Sequence, residues 1–201
     1  MKSLLRVGVD IGSTTIKIVV LDKENKLLYK KYLRHFSEIK TSLQENLTAL
    51  KHIVGTQCFS FAVTGSAGMG IAQRFKLPFV QEVIACAGAV KKFIPLTDTA
   101  VELGGEDAKI TYFGAAPEQR MNGVCAGGTG AFIDHMASLL DTDAAGLNDL
   151  AATGRQIYTI ASRCGVFAKT DIQSLMNDGA AKEDIALSVL QAVVNQTIGN
   201  L

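Results

Sequence analysis

Two strand–glycine turn–strand units constrain the fold of this 201-residue chain more than any other feature. In the first unit, the apolar runs Leu5–Val9 and Ile16–Leu21 flank a polar turn that begins at Asp10. In the second, about 95 residues later, two comparable runs flank the turn Gly104–Asp107. Short β-branched runs around such turns are typical of antiparallel hairpins. The sequence therefore predicts two related halves, each built on a hairpin.

The segment around Pro95 is the predicted boundary between these halves. An alanine-rich helix predicted over Gln81–Phe93 ends before this proline, and the strand pattern restarts after it. We expect a first domain over residues 1–95 and a second over 96–201. Periodicity adds a helix over Ser37–Leu50, with Ser37 as its N-cap. Four later helices are predicted near Ala131–Leu140, Ala144–Thr153, Lys169–Asn177 and Lys182–Ile198. This alternation of strands and helices predicts an α/β fold.

Composition and charge exclude several function classes. Twenty Lys and Arg residues against nineteen Asp and Glu give a formal net charge of +1. That balance predicts neither a nucleic-acid partner nor a membrane-binding patch. The longest uncharged stretch, Ile53–Gln73, is broken by glycines and polar residues, so we expect no membrane span. With no visible signal peptide and only four cysteines, a cytoplasmic location is expected.

The first turn has the residue types of a phosphate site. Backbone N–H groups and hydroxyls that suit phosphate oxygens come from Gly12, Ser13, Thr14 and Thr15. Asp10, at the end of the strand, can hold hydrated Mg²⁺, and Lys17 can return toward a phosphate. From these residues alone, an ordinary hairpin with a polar tip is an equally open alternative.

The second turn has a similar character. Adjacent glycines Gly104 and Gly105 let the backbone approach a ligand closely. Nearby carboxylates can organise Mg²⁺ or an attacking water: Glu102, Glu106 and Asp107. A tight turn with solvated acids is the alternative. Two such turns in one chain favour a phosphoryl group held between two lobes.

Cys125 and Cys164 stand apart from any paired-cysteine motif. No CxxC occurs, which argues against a zinc site or thioredoxin chemistry. Two thiolates are half of what a [4Fe–4S] cluster needs, and a two-fold dimer can supply the rest. On the residues alone, two inert buried cysteines are the alternative. Cys58 and Cys86 are expected to be buried and structural, the rival being an intrachain four-cysteine site. The histidines are expected near surfaces or helix ends: His35, His52 and His135.

Residues 10–17 (DIGSTTIK) and 104–109 (GGEDAK) resemble the phosphate-1 and phosphate-2 motifs of the superfamily of actin, heat-shock chaperones and sugar or acetate kinases. The segments around Cys125 and Cys164 look like the cluster-binding segments of one family within it. That family is the ATP-dependent activators of 2-hydroxyacyl-CoA dehydratases and benzoyl-CoA reductases, of the BadF/BadG/BcrA/BcrD type. The resemblance covers nearly the whole chain, with four motifs in the family's order.

The resemblance implies an α/β, ribonuclease-H-like and actin-like ATPase fold of two lobes, each with a mixed sheet flanked by helices. It implies that MgATP hydrolysis drives one electron from a [4Fe–4S] cluster, which bridges a homodimer, into an iron–sulfur dehydratase or reductase acting on an acyl-CoA. Reduced ferredoxin or flavodoxin would be the electron donor. The alternatives are a small-molecule kinase of the sugar or acetate type and a non-catalytic nucleotide-binding fragment.

The resemblance also implies roles for individual residues. The β- and γ-phosphates of ATP/ADP are assigned to the first turn, with Lys17, and Mg²⁺ to Asp10. The γ-phosphate is assigned to Gly104 and Gly105, and the metal and water to Glu106 or Asp107. A weaker candidate for positioning water or Mg²⁺ is Glu82. The helix that carries cluster and phosphate contacts is opened by Gly127, Gly128 and Gly130. The iron is assigned to Cys125 and Cys164.

Two features depart from the short activases, and the first of them resembles the long, multi-domain activase-like proteins. Short activases usually show Asp-x-Gly-Gly-Gln-Asp at the second turn, where this chain has Glu102 and Glu106. The superfamily's later glycine-rich segment, which cradles the adenosine, is expected to follow Leu201. We therefore expect the chain to be the N-terminal part of a longer protein, with the C-terminal part of the fold missing.

Overall fold

A computed structural model of the chain describes residues 4–114, 118–122 and 127–199. The chain divides into two compact units, Met1–Leu96 and Thr97–Leu201. Cys125 falls in the segment 123–126, outside the described residues. Among the described residues, no helix has the length and apolar character needed to cross a membrane.

The first unit is built on a four-stranded mixed sheet with the spatial order β3-β2-β1-β4. The strands are β1 (Leu5–Ile11), β2 (Thr15–Leu21), β3 (Leu27–Arg34) and β4 (Phe59–Thr64). Short turns join the first three, which pair antiparallel. Helix α1 (Ile39–Val54) connects β3 to β4, which pairs parallel to β1. Such a parallel neighbour requires a crossover, and α1 provides it. Two more helices follow, α2 (Gly68–Phe75) and α3 (Glu82–Phe93).

Alternate residues of the central strands form the core of this unit. Val9 of β1 lies opposite Ile18 of β2, and both are buried against Leu50 of α1. Successive side chains on a strand point to opposite faces of the sheet. Asp10 and Lys17, which are also opposite one another, therefore lie together on the other face.

The second unit combines a small sheet with a helical core. Its described strands are β5 (Thr99–Leu103), β6 (Ala108–Tyr112) and β7 (Glu118–Met121), paired antiparallel in that order. Its helices are α4 (Gly130–Leu139), α5 (Ala144–Ala151), α6 (Gly165–Asn177) and α7 (Lys182–Ile198). Ile185 and Val189 of α7 are fully buried and pack with Met136, Leu147 and Ile172 of the other three helices.

Most predicted elements are confirmed, with shifts at their ends, but some local predictions are wrong. Helix α1 begins at Ile39 with Glu38 as its N-cap, because Ser37 has a left-handed backbone (φ 68°). Cys58 is exposed rather than buried, because it lies just before the edge strand β4. Cys86 is only half-buried. His35 is buried, not at the surface. Helix α2 and strand β7 were not predicted.

Candidate phosphate-binding turns and cysteine loop

Asp10 and Lys17 form an ion pair at the end of the hairpin between β1 and β2. Lys17 Nζ lies 2.8 Å from Asp10 Oδ2. The pair is partly buried, with 25% of the Asp10 side chain and 42% of the Lys17 side chain exposed. The lysine therefore presents its positive charge beside the turn, where an anionic ligand would be attracted to it.

The second carboxylate oxygen of Asp10 is buried and has no hydrogen-bond partner among the described residues. Thr64, opposite Asp10 on β4, has a buried hydroxyl in the same condition. Gly65 closes on this pair: a Cβ there would lie 2.5 Å from Asp10 Oδ1 and 2.3 Å from the carbonyl oxygen of Ile11. Buried polar atoms are nearly always hydrogen-bonded in native proteins. A carboxylate with a free oxygen, beside a hydroxyl, has the chemistry to bind hydrated Mg²⁺ or an ordered water.

The loop after β4 brings Glu82 to the same end of the sheet. Backbone hydrogen bonds to the carbonyls of Ile11 and Gly65 fold this loop onto the end of β1. The N–H of Ser66 then donates to Glu82 Oε1 at 3.2 Å. In open α/β sheets, ligands bind outside the carboxyl ends of the parallel strands. The structure thus places Glu82, the first residue of α3, beside the loop that follows Thr64. Thr64 stands next to a glycine cluster, but no pattern in the sequence marks it as a site residue.

The tip of the first turn separates into two parts. The N–H of Gly12 donates to the carbonyl of Thr15 at 2.9 Å and closes the turn. Thr15 is buried, whereas Gly12, Ser13 and Thr14 are half-buried at the tip. The tip residues are therefore within reach of a ligand, with the Gly12 N–H engaged in closing the turn and Thr15 supporting the tip from inside.

The second turn packs against the N-terminus of a helix. The N–H of Gly104 donates to the Asp107 carbonyl at 2.8 Å, and the Gly104 carbonyl accepts from the N–H of Gly130, the first residue of α4. Gly105 is half-buried and Glu106 is exposed. Because a helix N-terminus favours negative charge, this arrangement is suited to an anion beside the turn.

Asn122 ties this turn region to the glycine-rich loop. Its Oδ1 accepts from the N–H of Ala108 at 2.7 Å, and its Nδ2 donates to the Gly127 carbonyl at 3.3 Å. Asn122 is buried, as is Thr129, which caps α4 by accepting from the N–H of Phe132. Neither residue stands out in the sequence, because a lone Asn or Thr beside glycines has no distinctive pattern.

Cys164 is the N-cap of α6 and is half-buried. The loop before it lies against Gly127, where a Cβ would be 2.5 Å from the Arg163 carbonyl oxygen and 2.7 Å from that of Ser162. Gly127 follows Cys125 by two residues in the sequence, and it is Gly127 that packs on the loop before Cys164. Among the described residues, no group of three or more His, Cys, Asp and Glu side chains is placed to hold a metal ion.

An extended segment leads to this cysteine loop and is held by side chains of α7. Asp184 Oδ1 accepts from the N–H groups of Arg155 and Gln156 at 2.7 and 3.0 Å. These two bonds hold the pKa of the Asp184 carboxyl below its ordinary value. The Ser188 hydroxyl accepts from the N–H of Tyr158 at 2.8 Å. The path of the chain toward Cys164 therefore depends on α7.

The near-neutral net charge conceals opposite charges on the two units. Residues 1–96 contain fourteen of the twenty Lys and Arg but six of the nineteen Asp and Glu, a net charge of +8. Residues 97–201 contain the other six and thirteen, a net charge of −7, and the two values sum to +1. The positive unit is the one that carries the Asp10–Lys17 turn, and its charge favours the approach of an anionic ligand.

Comparison with known proteins identifies the family. The BadF/BadG/BcrA/BcrD ATPase family matches residues 7–199, and the chain belongs to that family. It is 28% identical, over 98% of its length and 77% of the relative's, to the (R)-2-hydroxyglutaryl-CoA dehydratase activating ATPase of Acidaminococcus fermentans. It is also 28% identical, over 94% of its length and 72% of the relative's, to the 2-hydroxyisocaproyl-CoA dehydratase activator of Clostridioides difficile.

Solved structures share the fold. The crystal structure of component A of the Acidaminococcus fermentans dehydratase superposes with a TM-score of 0.83 at 25% identity, covering 98% of this chain and 77% of that one. The Clostridium difficile activator with bound ADPNP gives 0.82 at 25% identity, covering 97% and 74%. The predicted α/β, actin-like ATPase fold is confirmed.

Proposed function

We propose that this protein is an ATP-dependent activator of an acyl-CoA dehydratase or a benzoyl-CoA-reductase-like enzyme. In the proposed reaction, MgATP hydrolysis accompanies transfer of one electron from reduced ferredoxin or flavodoxin, through a [4Fe–4S] cluster shared by two copies of the chain, to the iron–sulfur site of the partner. Family membership and the names of its relatives support this proposal. The observation that carries it is Asp10, which pairs with Lys17 through one oxygen and leaves the other buried without a described partner.

The nucleotide is assigned to the two turns. Backbone N–H groups of Ser13 and Thr14 would bind the β- and γ-phosphates beside Gly12, and Lys17 would neutralise their charge. Thr15 contributes by closing the turn. In the second unit, Gly104 and Gly105 would bind the γ-phosphate, since the turn they form packs on the N-terminus of α4.

The carboxylates are assigned to Mg²⁺ and to the attacking water. Asp10 would hold hydrated Mg²⁺, which supplies charge neutralisation to the phosphates when bound. Glu82 is held beside the same loop by Ser66 and would position water. Glu106 and Asp107 are the corresponding acids of the second turn. Of these, the exposed Glu106 is free to move toward a ligand, whereas the Asp107 backbone is committed to closing the turn.

The cluster is assigned to the cysteines. Cys164 and Cys125 would each contribute a thiolate, and a second copy of the chain would contribute the other two. Iron ligation fits the position of Cys164, which is the half-buried N-cap residue of α6 and follows the loop that packs on Gly127. Gly127 and Gly128 allow the two loops to lie close together, and Gly128 has a left-handed backbone (φ 75°) beside α7.

Nucleotide binding with matched variants tests the proposal. We would measure ADPNP affinity by calorimetry, with and without Mg²⁺, for the wild type and Asp10→Asn. We expect Asp10→Asn to lose most of the Mg²⁺-dependent gain in affinity while it binds nucleotide in EDTA much as the wild type does. Equal Mg²⁺ dependence in both proteins would contradict the assignment. Phosphorylation of a sugar or of acetate, with no iron in the protein, would favour a kinase instead.

A further inference from the structure

His35 lies at the end of β3 and is almost completely buried, at 3% exposure. Its Nε2 is 3.1 Å from the carbonyl oxygen of Gly12, in the first turn. Its Nδ1 accepts the backbone N–H of Ser37 at 3.1 Å. The backbone N–H of His35 donates to the carbonyl of Thr14 at 3.2 Å. The residue therefore contacts the turn through both its ring and its backbone.

These contacts define which nitrogen of the His35 ring carries the hydrogen. A backbone N–H can only donate, so Nδ1 must be the unprotonated, accepting nitrogen. A neutral imidazole then carries its hydrogen on Nε2, which donates to the Gly12 carbonyl. Both ring nitrogens are used, and neither hydrogen bond can be made by the other nitrogen.

The planarity of the peptide bond carries this contact to the tip of the turn. The Gly12 carbonyl and the Ser13 N–H belong to one trans peptide unit, in which they point in opposite directions. When His35 holds the Gly12 carbonyl toward the protein, it also directs the Ser13 N–H away from the ring. That N–H is one of the groups assigned to phosphate.

The corner that holds the ring is strained. Phe36 and Ser37 both have left-handed backbones, with φ of 45° and 68°. The N–H of Glu38 closes the corner by donating to the His35 carbonyl at 2.6 Å. Backbone strain of this kind persists only where the surrounding structure stabilises it. Phe36 is 81% exposed, so its own packing does not account for the corner. The corner is held instead by the hydrogen bonds that His35 accepts from the N–H groups of Ser37 and Glu38.

We infer that His35 is a positioning residue for phosphate binding, acting through the Gly12 carbonyl on the Ser13 N–H. The inference deepens the proposed function and rests on it. It separates the two ring nitrogens: the Nε2 bond orients the turn, and the Nδ1 bond stabilises the corner at Ser37.

Three variants test this separation. Gln at position 35 can donate to Gly12 from nearly the Nε2 position but has no acceptor where Nδ1 lies. Asn can accept from Ser37 but is too short to reach Gly12. Ala can do neither. We would measure ADPNP affinity, melting temperature and amide exchange of residues 12–15 for His35→Gln, His35→Asn and His35→Ala, with His52→Ala, on the exposed surface of α1, as the control.

We expect His35→Ala and His35→Asn to bind ADPNP about tenfold more weakly and to exchange faster in the turn, since both lose the hydrogen bond to the Gly12 carbonyl. His35→Gln should bind within about threefold of the wild type even though it melts lower. Equal affinity of all variants, or affinity that follows melting temperature, would overturn the inference. If the wild type binds no nucleotide, the proposed function fails instead, and unchanged turn exchange in His35→Ala would then overturn the inference by itself.

Discussion

Tyr32 lies beside Lys17 on the neighbouring strand, with its ring centroid 5.7 Å from the lysine Nζ. The ammonium group is thus held between this ring and Asp10 Oδ2, which is 2.8 Å away. Lysine side chains lose considerable conformational entropy when they are fixed in place. In Lys17 two contacts have already fixed the charge beside the turn, which lowers the entropic cost of binding an anion there.

Lys17→Met is expected to weaken ADPNP binding roughly 10- to 100-fold, because a hydrogen bond to a charged group contributes about 1.5–3 kcal/mol. The loss should be larger at low salt, where charges are less screened. Calorimetry at two ionic strengths measures both effects. Lys23→Met is the matched control, since that lysine is exposed and its ion pair with Glu24 is long, at 3.9 Å. A loss of similar size in both variants would mean that overall charge, not the position of Lys17, sets the affinity.

Gly65→Ala is expected to lower the free energy of unfolding by about 2 kcal/mol or more, since backbone strain and a clash combine. The glycine has φ of 97°, and a Cβ would lie 2.3 Å from the Ile11 carbonyl oxygen. Gly70→Ala, with open space around it in α2, should instead be neutral or stabilising by up to about 1 kcal/mol. Urea unfolding followed by circular dichroism compares them. Equal stability of the two variants would show that the loop after β4 does not pack as described.

Gly127→Ala is expected to separate the two loops that carry the predicted cluster ligands. A Cβ at this position would lie 2.5 Å from the Arg163 carbonyl oxygen, a distance that the backbone must move to relieve. We predict loss of most of the iron bound after anaerobic reconstitution. Gly165→Ala, next to Cys164, brings a Cβ only to 3.9 Å from a Phe132 ring carbon and should retain it. Full iron content in Gly127→Ala would contradict the assigned role of this contact.

Asp184 gives the stability a defined dependence on pH. Its pKa is lowered in the folded protein from the ordinary value of 3.8 by the N–H groups of Arg155 and Gln156. A lowered folded pKa stabilises the protein above pH 3.8, and this contribution disappears as the pH falls through the folded pKa. Asp184→Asn should therefore be less stable than the wild type near pH 7, and the difference should shrink at acid pH. A difference independent of pH would show that the carboxylate charge is not responsible.

The hairpins could be predicted from sequence because alternation of apolar residues dictates them. Val9 and Ile18 meet in the core, and that alternation alone turns Asp10 and Lys17 to the other face. Burial of His35 could not be predicted, because it follows an exposed strand and packs on the backbone of Gly12 and Thr14, which are distant in sequence. Strand β7 is short and mostly exposed, so it has no apolar pattern to detect. Helix α2 contains two glycines, which argue against a helix until it packs.

Contacts between loops could not be predicted from the sequence either. Gly127 is one of several glycines in its segment, and nothing in the order of residues indicates that it faces the Arg163 carbonyl. Likewise, Cys58 precedes an apolar run but lies at the start of an edge strand, so burial of the run does not extend to its thiol. Local patterns predict elements, whereas the approach of one backbone to another depends on the packing of the whole unit.

Iron counting on protein reconstituted without oxygen tests the central claim most directly. We predict about four irons per two chains. A [4Fe–4S] cluster contains four irons and takes four cysteine ligands, of which each chain would supply two. The iron should be absent in Cys164→Ala and in Cys125→Ala, which should also elute as monomers, and it should remain in Cys58→Ala. Iron bound equally by all three variants, or none bound by a wild type that still binds ADPNP, would contradict the account.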